Sequence, residues 1–499
     1  MGMDVAEQLK NDVREGRLDP DRLVDLFVDS QQKLQIAHQR IAELEQLSAQ
    51  TPPKVDEPFS LRAEEKRQQA RGKKKPKDKS QGRRGRFSTK DKVTQAERSE
   101  DVLPDGVAKS ECHLSHTRPV WRLENGRAVL IAYRIHRGPN NQYGKIPGVL
   151  GRSEFGLEIV VAIAYLVYVV GLSFDKVCLL LSFFQNLKLR KSQADALLHQ
   201  LSRHWQNEFE ILCKLLANSL VVHADETSWS LNSVWAFLSE KARVVFFGVH
   251  KDAATLKQIL DPATFTGTLI SDDAAVYRNF TTSQKCWAHL LRKAIKLTLQ
   301  DPNNQEYRKF ADRLLEIYRQ ACRVQRDGRL GDAGRAKRVR ELDREIGNLC
   351  EPIWYENVMP VKGLANDYRL LVGEIVRLMI VQELFTFVTA KPVEQPNGLV
   401  QQVGATNNEA ERTLRSPAEA RKTGRTNKTL VGARRQTVLT SVLQSLRLYL
   451  PTFTLVSVIA EVHRWMEAGR SCFTELLETL KIPSPEQAVL DGVLPHPSG

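Results

Sequence analysis

Residues 221–229 read VVHADETSW, and the fold turns on how this stretch is taken. An apolar pair, Val221 and Val222, leads to two adjacent acids, Asp225 and Glu226, in a chain with 73 Lys and Arg against 59 Asp and Glu, a net charge of +14. A buried strand that delivers a carboxylate to its end fits this pattern. Successive side chains alternate across a strand, so Asp225 and Glu226 face opposite ways. His223 reads as a packed or orienting residue. Working outward, NSLVVHADE, SVWAFLSE and ARVVFFGV read as three strands and DAATLKQIL as a helix. TGTLISDD reads as a fourth strand ending at an acid, AAVYRNF as a short helical turn, and QKCWAH as a fifth strand leading into the helical LLRKAIKLTL.

The order β-β-β-α-β-α-β-α is that of an α/β, ribonuclease-H-like catalytic domain with a mixed five-stranded sheet, placed here at 216–300. The mainly helical stretch 301–400 is too large for a loop and reads as a helical insertion. Residues 401–435 then complete the catalytic domain, 436–480 form C-terminal helices broken at Pro451, and 481–499 are a flexible tail.

A mainly helical region precedes this domain. In 1–50, Phe27, Leu34 and Ile41 fall seven apart, with Leu23, Ala37 and Leu44 at the partner positions and Ser30 as the polar exception. That pattern suits a weak coiled coil, or a helix packed on its own domain. Residues 51–100 read as a basic disordered linker. Within it, 66–92 hold thirteen Lys or Arg, among them Lys73, Lys74, Lys75, Arg83 and Arg84, against Asp78 and Asp91. Such a segment buries too little apolar surface to fold. It is either a solvated linker or a contact to phosphate backbone acting by counterion release. Residues 101–150 are rich in Gly, Pro and polar side chains and form a small polar module. Their Cys112 and His116 make a degenerate zinc-finger-like pair without a second pair of ligands, so a structural zinc is not expected. In 151–215, SFDKVCLLLSFFQNLKLRKSQADALLHQLSRHW reads as two helices, the second opening near Ser192 behind Lys188, Arg190 and Lys191. The pair is a helix-turn-helix or simply two packed helices.

The seven cysteines are scattered and no two form a C-x-x-C pair, which argues against a disulfide framework and for a reducing compartment. The N-terminal MGMDVAEQLKND lacks the apolar core of a signal peptide. The longest uncharged run, Ile159 to Phe174, is 16 residues, short of the roughly 20 that a membrane helix needs. These features exclude membrane and secreted classes and lead to a cytoplasmic protein.

Phosphodiester cleavage by two metal ions needs carboxylates converging from different elements, because each Mg2+ prefers hard oxygen ligands and the pair clamps the attacking and leaving oxygens. Strands one and four are neighbours in this fold, so Asp225 and Asp272 can share a metal. Glu411 in NNEAER is the third acid, set among Arg412, Arg415, Arg421 and Lys422 where phosphates would arrive. Each acid also has a plainer reading. Asp225, Asp272 or its neighbour Asp273 could cap a turn, and Glu411, three residues after Asn408, has a spacing close to a capping box.

HADETSW, SDDAAVY, CWAHLLRK and NNEAERTLR resemble, in order and rough spacing, the signature blocks of the insertion sequence 66 family of bacterial DDE transposases. The resemblance spans about residues 150 to 470. It implies that Asp225, Asp272 and Glu411 are the three metal-binding acids, holding two Mg2+ with Mn2+ as a substitute. It places His289, Arg292 and Lys293 in a block that contacts DNA rather than metal. The implied activity is hydrolysis at transposon ends followed by attack of the freed 3′ hydroxyl on target DNA. A nuclease without strand transfer and a catalytically silent DNA-binding relative are the alternatives. Implied partners are the transposon ends, target DNA, further copies of the chain on DNA and small companion proteins of the element, in a bacterial, nucleoid-associated setting. Many family members carry a cysteine-rich zinc module before the catalytic domain, where this chain offers only ECHLSH at 111–116.

Overall fold

The computed structural model describes residues 14–16, 20–50, 88–355, 363–394, 400–486 and 488–494. The chain divides into two units, 1–84 and 85–499. In the first unit, helix α1 (Pro20–Gln50) leaves Phe27 and Leu34 exposed. The basic run from Lys66 to Arg86 lies outside the described residues.

The second unit opens with a short helix, α2 (Thr89–Thr94), and three strands, β1 (Arg98–Val102), β2 (His113–Glu124) and β3 (Arg127–Arg137). β3 is central, parallel to β1 and antiparallel to β2. These strands add a small sheet to a region before the catalytic domain that is otherwise mainly helical, as expected; the reading of 101–150 as a polar module gave no sign of them. Asn125 and Gly126, both at positive φ, make the two-residue turn between β2 and β3, an Asn-Gly hairpin signal hidden by the polar composition around it. Val120, Val129, Ile131, Tyr133, Ile135, Ile146 and Val149 give the sheet its own apolar core. Cys112 immediately precedes β2, and His116 lies on it, exposed, beside the Ser115 hydroxyl.

Four helices follow: α3 (Leu157–Tyr168), α4 (Phe174–Gln185), α5 (Lys191–His204) and α6 (Gln206–Ala217). The uncharged run forms α3 and is buried in the main core through Ile159, Val160, Val161 and Ile163. No described helix is long and apolar enough to cross a membrane.

Next comes the five-stranded sheet with its helices: β4 (Val221–Ser228), β5 (Ser233–Leu238), β6 (Arg243–Val249), α7 (Ala253–Ile259), β7 (Thr268–Ser271), β8 (Ser283–Lys285) and α8 (Trp287–Gln300). The strand order is β6-β5-β4-β7-β8, with the first three antiparallel and β4, β7 and β8 parallel. The sequence reading ended the first strand at the acid, but β4 continues to Ser228. Its antiparallel ladder with β5 runs to the pair Ser228 and Ser233, whereas its parallel ladder with β7 stops at His223 and Ile270. The two parallel strands therefore part just before Asp225 and Asp272, which opens the crevice typical of strand C-terminal ends.

The insertion comprises α9 (Gln305–Arg326), α10 (Asp332–Tyr355), α11 (Leu364–Ile380) and α12 (Thr386–Thr389), then a two-stranded ribbon, β9 (Val393–Glu394) with β10 (Val400–Gln401). Phe310, Leu314, Ile346, Tyr368, Leu371 and Ile375 join Trp287 and Leu290 of α8 in one apolar cluster, so the insertion is rooted on the sheet. The chain returns through α13 (Asn408–Lys422), α14 (Leu430–Tyr449), α15 (Leu455–Ala468), α16 (Cys472–Thr479) and α17 (Val489–Val493). α13 covers the Asp225 face of the sheet, where Leu414 packs with Val234, Ala236 and Val245. Helix α14 closes the β6 edge in an orderly way. Thr437 Oγ1, Ser441 Oγ and Ser445 Oγ, four residues apart, accept the N–H groups of Phe247, Val245 and Arg243 at 3.0, 2.9 and 3.0 Å. Side chains thus occupy the place of a sixth strand.

Candidate active site

Asp225 is half-buried, and its Oδ1 accepts the N–H of Glu226 at 2.9 Å. Burial pushes its pKa up to about 7, helped by the charges of Glu226, Asp272 and Glu411. Glu226 faces the other side of the strand. There its carboxylate, only 4% exposed, takes the Tyr277 hydroxyl and the Lys251 ammonium. The two neighbouring acids therefore differ in kind: one is neutralised by fixed partners, the other is left to face its fellow acids.

Asp272 follows β7 directly, and its Oδ1 accepts the Ala274 N–H at 3.0 Å, the turn-capping bond that was its plainer reading. The bond leaves acceptor capacity on a carboxylate, so it does not preclude metal ligation. Asp273 turns towards the insertion and pairs with Arg377 of α11. Beneath this turn lies Lys285, fully buried, with Nζ donating to Ser271 Oγ at 3.1 Å. Burial pushes its pKa below the ordinary lysine value.

Glu411 sits in the first turn of α13. Arg292 Nη2 donates to both of its oxygens, at 2.5 and 2.7 Å, and His289 Nδ1 lies 3.6 Å away. The capping-box reading from Asn408 is replaced by a different arrangement, because the N-cap is Asn407 and its side chain does not cap the helix. Asn407 is wholly buried. Its Nδ2 donates to Ala224 O at 2.7 Å, its Oδ1 lies 3.3 Å from His223 Nδ1, and its backbone N–H donates to Cys286 Sγ at 3.1 Å. One residue thus ties the first strand, the start of α8 and the helix of Glu411 together. Burial keeps His223 below its ordinary pKa, consistent with an orienting role.

The basic residues divide. His289 and Arg292 gather at Glu411, whereas Lys293 turns to Glu374 of the insertion. Arg412, Arg415 and Lys422 are exposed along α13. Arg421 is exposed too, but its Nη1 donates to Ser228 O at 2.9 Å and ties the helix to the end of β4. Lys73, Lys74, Lys75, Arg83 and Arg84 lie outside the described residues. Sequence reasoning missed Asn407, Cys286 and Lys285. A buried polar residue announces itself only through partners that are distant in sequence.

The donor chemistry fits a divalent cation. Three carboxylates come from three elements, and burial first, then the charges of Glu226, Asp272 and Glu411, raises Asp225, a burden that a bound cation would relieve. Among the described residues, Asp225, Asp272 and Glu411 are not all within 4.8 Å of one another at their ligand atoms; the group that meets this spacing is Cys286, His289 and Glu411.

A mixed sheet in the order 3-2-1-4-5, with one acid on the first strand, one after the fourth and one on the returning helix, defines a ribonuclease-H-like enzyme of the DDE class. The family model described as "Transposase IS66 family" matches residues 152–435, more than half of the chain, and the chain belongs to that family. It is therefore a DDE transposase, an enzyme that binds DNA and acts in DNA transposition, and DDE transposases generally use divalent metal ions. No curated protein matches it.

Proposed function

We propose that the chain hydrolyses the phosphodiester at the ends of its insertion sequence and joins the freed 3′ hydroxyl to target DNA. The observation that carries this reading is the parting of β4 and β7 beside Asp225 and Asp272, with the helix of Glu411 bonded to β4 through Asn407. Asp225, Asp272 and Glu411 would hold two Mg2+, or Mn2+ in their place, which when bound supply charge stabilisation to the attacking and leaving oxygens. In the first step water forms the new bond to phosphorus and the 3′ oxygen leaves with a proton. In the second step that hydroxyl attacks a target phosphodiester, and the target's own 3′ oxygen departs.

The remaining side chains bind and orient. Asn407 holds the third acid's helix in register with the first acid. Arg292 neutralises Glu411 when no cation is bound, and it becomes available to phosphate when Glu411 turns to its ligand role. Arg412, Arg415, Arg421 and Lys422 on exposed α13, with Lys293 on α8, form a positive rim beside Glu411, and His289 lies among them as a DNA contact. The basic linker, through Lys73, Lys74, Lys75, Arg83 and Arg84, adds sequence-independent affinity. The α4–α5 pair serves end recognition, and the exposed Phe27 and Leu34 of α1 pair with a second copy, as synapsis of two ends requires. Small companion proteins encoded beside it would complete the machinery.

Labelled end DNA tests the reading. With Mg2+ and a target plasmid, the chain should yield both nicked ends and joined product. Nicks without joining would make it a ribonuclease-H-like nuclease, and binding without nicks a catalytically silent relative.

A further inference from the structure

The residues around Glu411 contain two different donor sets. On one side are the oxygens of Asp225 and Asp272, which suit a hard cation. On the other are a thiol and an imidazole. Cys286 Sγ, a ring nitrogen of His289 and a Glu411 oxygen all lie within 4.8 Å of one another, and His289 Nδ1 is 3.6 Å from Glu411. Ligand atoms held tetrahedrally by one zinc ion at about 2.0–2.3 Å stand about 3.3–3.8 Å apart, so side-chain rotations that draw the three atoms in by about 1 Å would close the set. The imidazole is already aimed inward: His289 Nδ1 is buried and takes no hydrogen bond. The thiol is fixed from behind, because Cys286 caps α8 and its sulfur accepts the Asn407 N–H. Arg292, the current partner of Glu411, is 53% exposed and can swing into solvent at little cost.

We propose that Cys286, His289 and Glu411 form a binding site for a zinc-class cation that shares only Glu411 with the magnesium set, and that filling it withdraws Glu411 from Asp225 and Asp272 and inhibits the enzyme. Sulfur and nitrogen donors select zinc over magnesium, while the aspartates select the reverse. The thiol loses its proton to solvent on ligation, and water or a DNA phosphate oxygen completes the fourth position. The inhibitory half of the proposal rests on Glu411 being the third acid; the binding half does not.

The test uses Co2+ as a spectroscopic stand-in for Zn2+ on the full-length, chelator-treated protein. One Co2+ should bind per chain with a thiolate-to-cobalt charge-transfer band in the near ultraviolet. Cys286→Ser should abolish the band, and His289→Gln should weaken binding at least roughly tenfold. Asp225→Asn should leave both unchanged. Absence of the band, its survival in Cys286→Ser, or its loss in Asp225→Asn overturns the site. His289→Gln keeps the question open to decision should Cys286→Ser fail to fold. In a second arm, micromolar Zn2+ against millimolar Mg2+ should suppress end nicking by the parent. A parent that never nicks counts against the proposed function, yet the cobalt spectrum still decides the site.

Discussion

The side-chain amide of Asn407 donates to the carbonyl of Ala224 at 2.7 Å, so the residue that opens the third acid's helix is bonded to the residue just before the first acid. Asn407 therefore sets the distance between two carboxylates that sequence separates by almost two hundred residues. Asn407→Leu leaves the Ala224 carbonyl and the His223 ring without their partner, a loss of about 1–3 kcal/mol in folding stability. A small shift of Glu411 should also lower end nicking by roughly a hundredfold, as misplacement by about 1 Å does. The distinguishing readout is a Mg2+ titration. A positioning role raises the Mg2+ concentration needed for half-maximal nicking, whereas mere destabilisation leaves it in place once assays are run well below the melting point.

Asp225→Asn, Asp272→Asn and Glu411→Gln keep size and hydrogen bonding but remove the charge that holds a cation. Each should reduce nicking and joining by roughly three orders of magnitude, the scale of several kcal/mol of lost charge stabilisation. Band-shift binding of end DNA should stay within a few fold of the parent. A variant that nicks at the parent rate removes its residue from the catalytic set.

Much of the geometry around the proposed site could be read from the sequence, because carboxylates at the ends of apolar runs leave a local mark. VVHADE and TLISDD show the run and the acid together, and the alternation of side chains along β4 gave Glu226 its opposite face. What escaped notice depends on distance or on masking. The three contacts of Asn407 reach residues 121 to 184 positions away. Lys285 looks like a surface residue by type, yet it is 1% exposed, because a short parallel strand carries it under the Asp272 turn. In the β1–β3 module, Gly, Pro and polar residues hid an Asn-Gly hairpin with a continuous apolar stretch in β3. Where the first strand ends was misjudged because an acid resembles a stop signal, while the antiparallel ladder with β5 carries β4 onward.

The hydroxyl stripe of α14 is a second point at which stability is tested. Ser441→Ala leaves the Val245 N–H buried without an acceptor, which costs about 1–3 kcal/mol. Thr437→Val does the same to Phe247. Thermal unfolding should show both losses, and because the two hydroxyls are one helical turn apart the double variant's loss need not be their sum. A shift in melting temperature no larger than that of an exposed Ser→Ala control would remove the edge-capping role.

The basic linker makes a prediction that depends on salt rather than on structure. Replacing Lys73, Lys74, Lys75, Arg83 and Arg84 by Ala removes five cationic contacts. If each meets a duplex phosphate, the slope of log K against log salt becomes shallower by about 4.5, from roughly 0.9 per contact. The preference for end DNA over random DNA should hardly change. An unchanged slope would mean that the segment is a solvated linker and that the cations of the folded unit carry the affinity.

Glu210 of α6 gives the molecule a pH dependence away from the acids. Its carboxylate accepts the N–H groups of Val489 and Leu490 at 2.8 and 3.2 Å and so holds the start of α17. Burial pushes its pKa from the ordinary 4.5 up to about 7. A folded-state pKa above the unfolded one means that this group's contribution to stability is complete below about pH 4.5 and is lost as pH rises through 7. Above that pH the folded protein carries a buried charge, a burden of roughly 3 kcal/mol at most. Glu210→Gln retains an acceptor without the charge. Its stability relative to the parent, measured by urea midpoints, should therefore be markedly higher at pH 8 than at pH 5. A difference that is the same at both pH values would show that Glu210 titrates at its ordinary pKa in the folded chain.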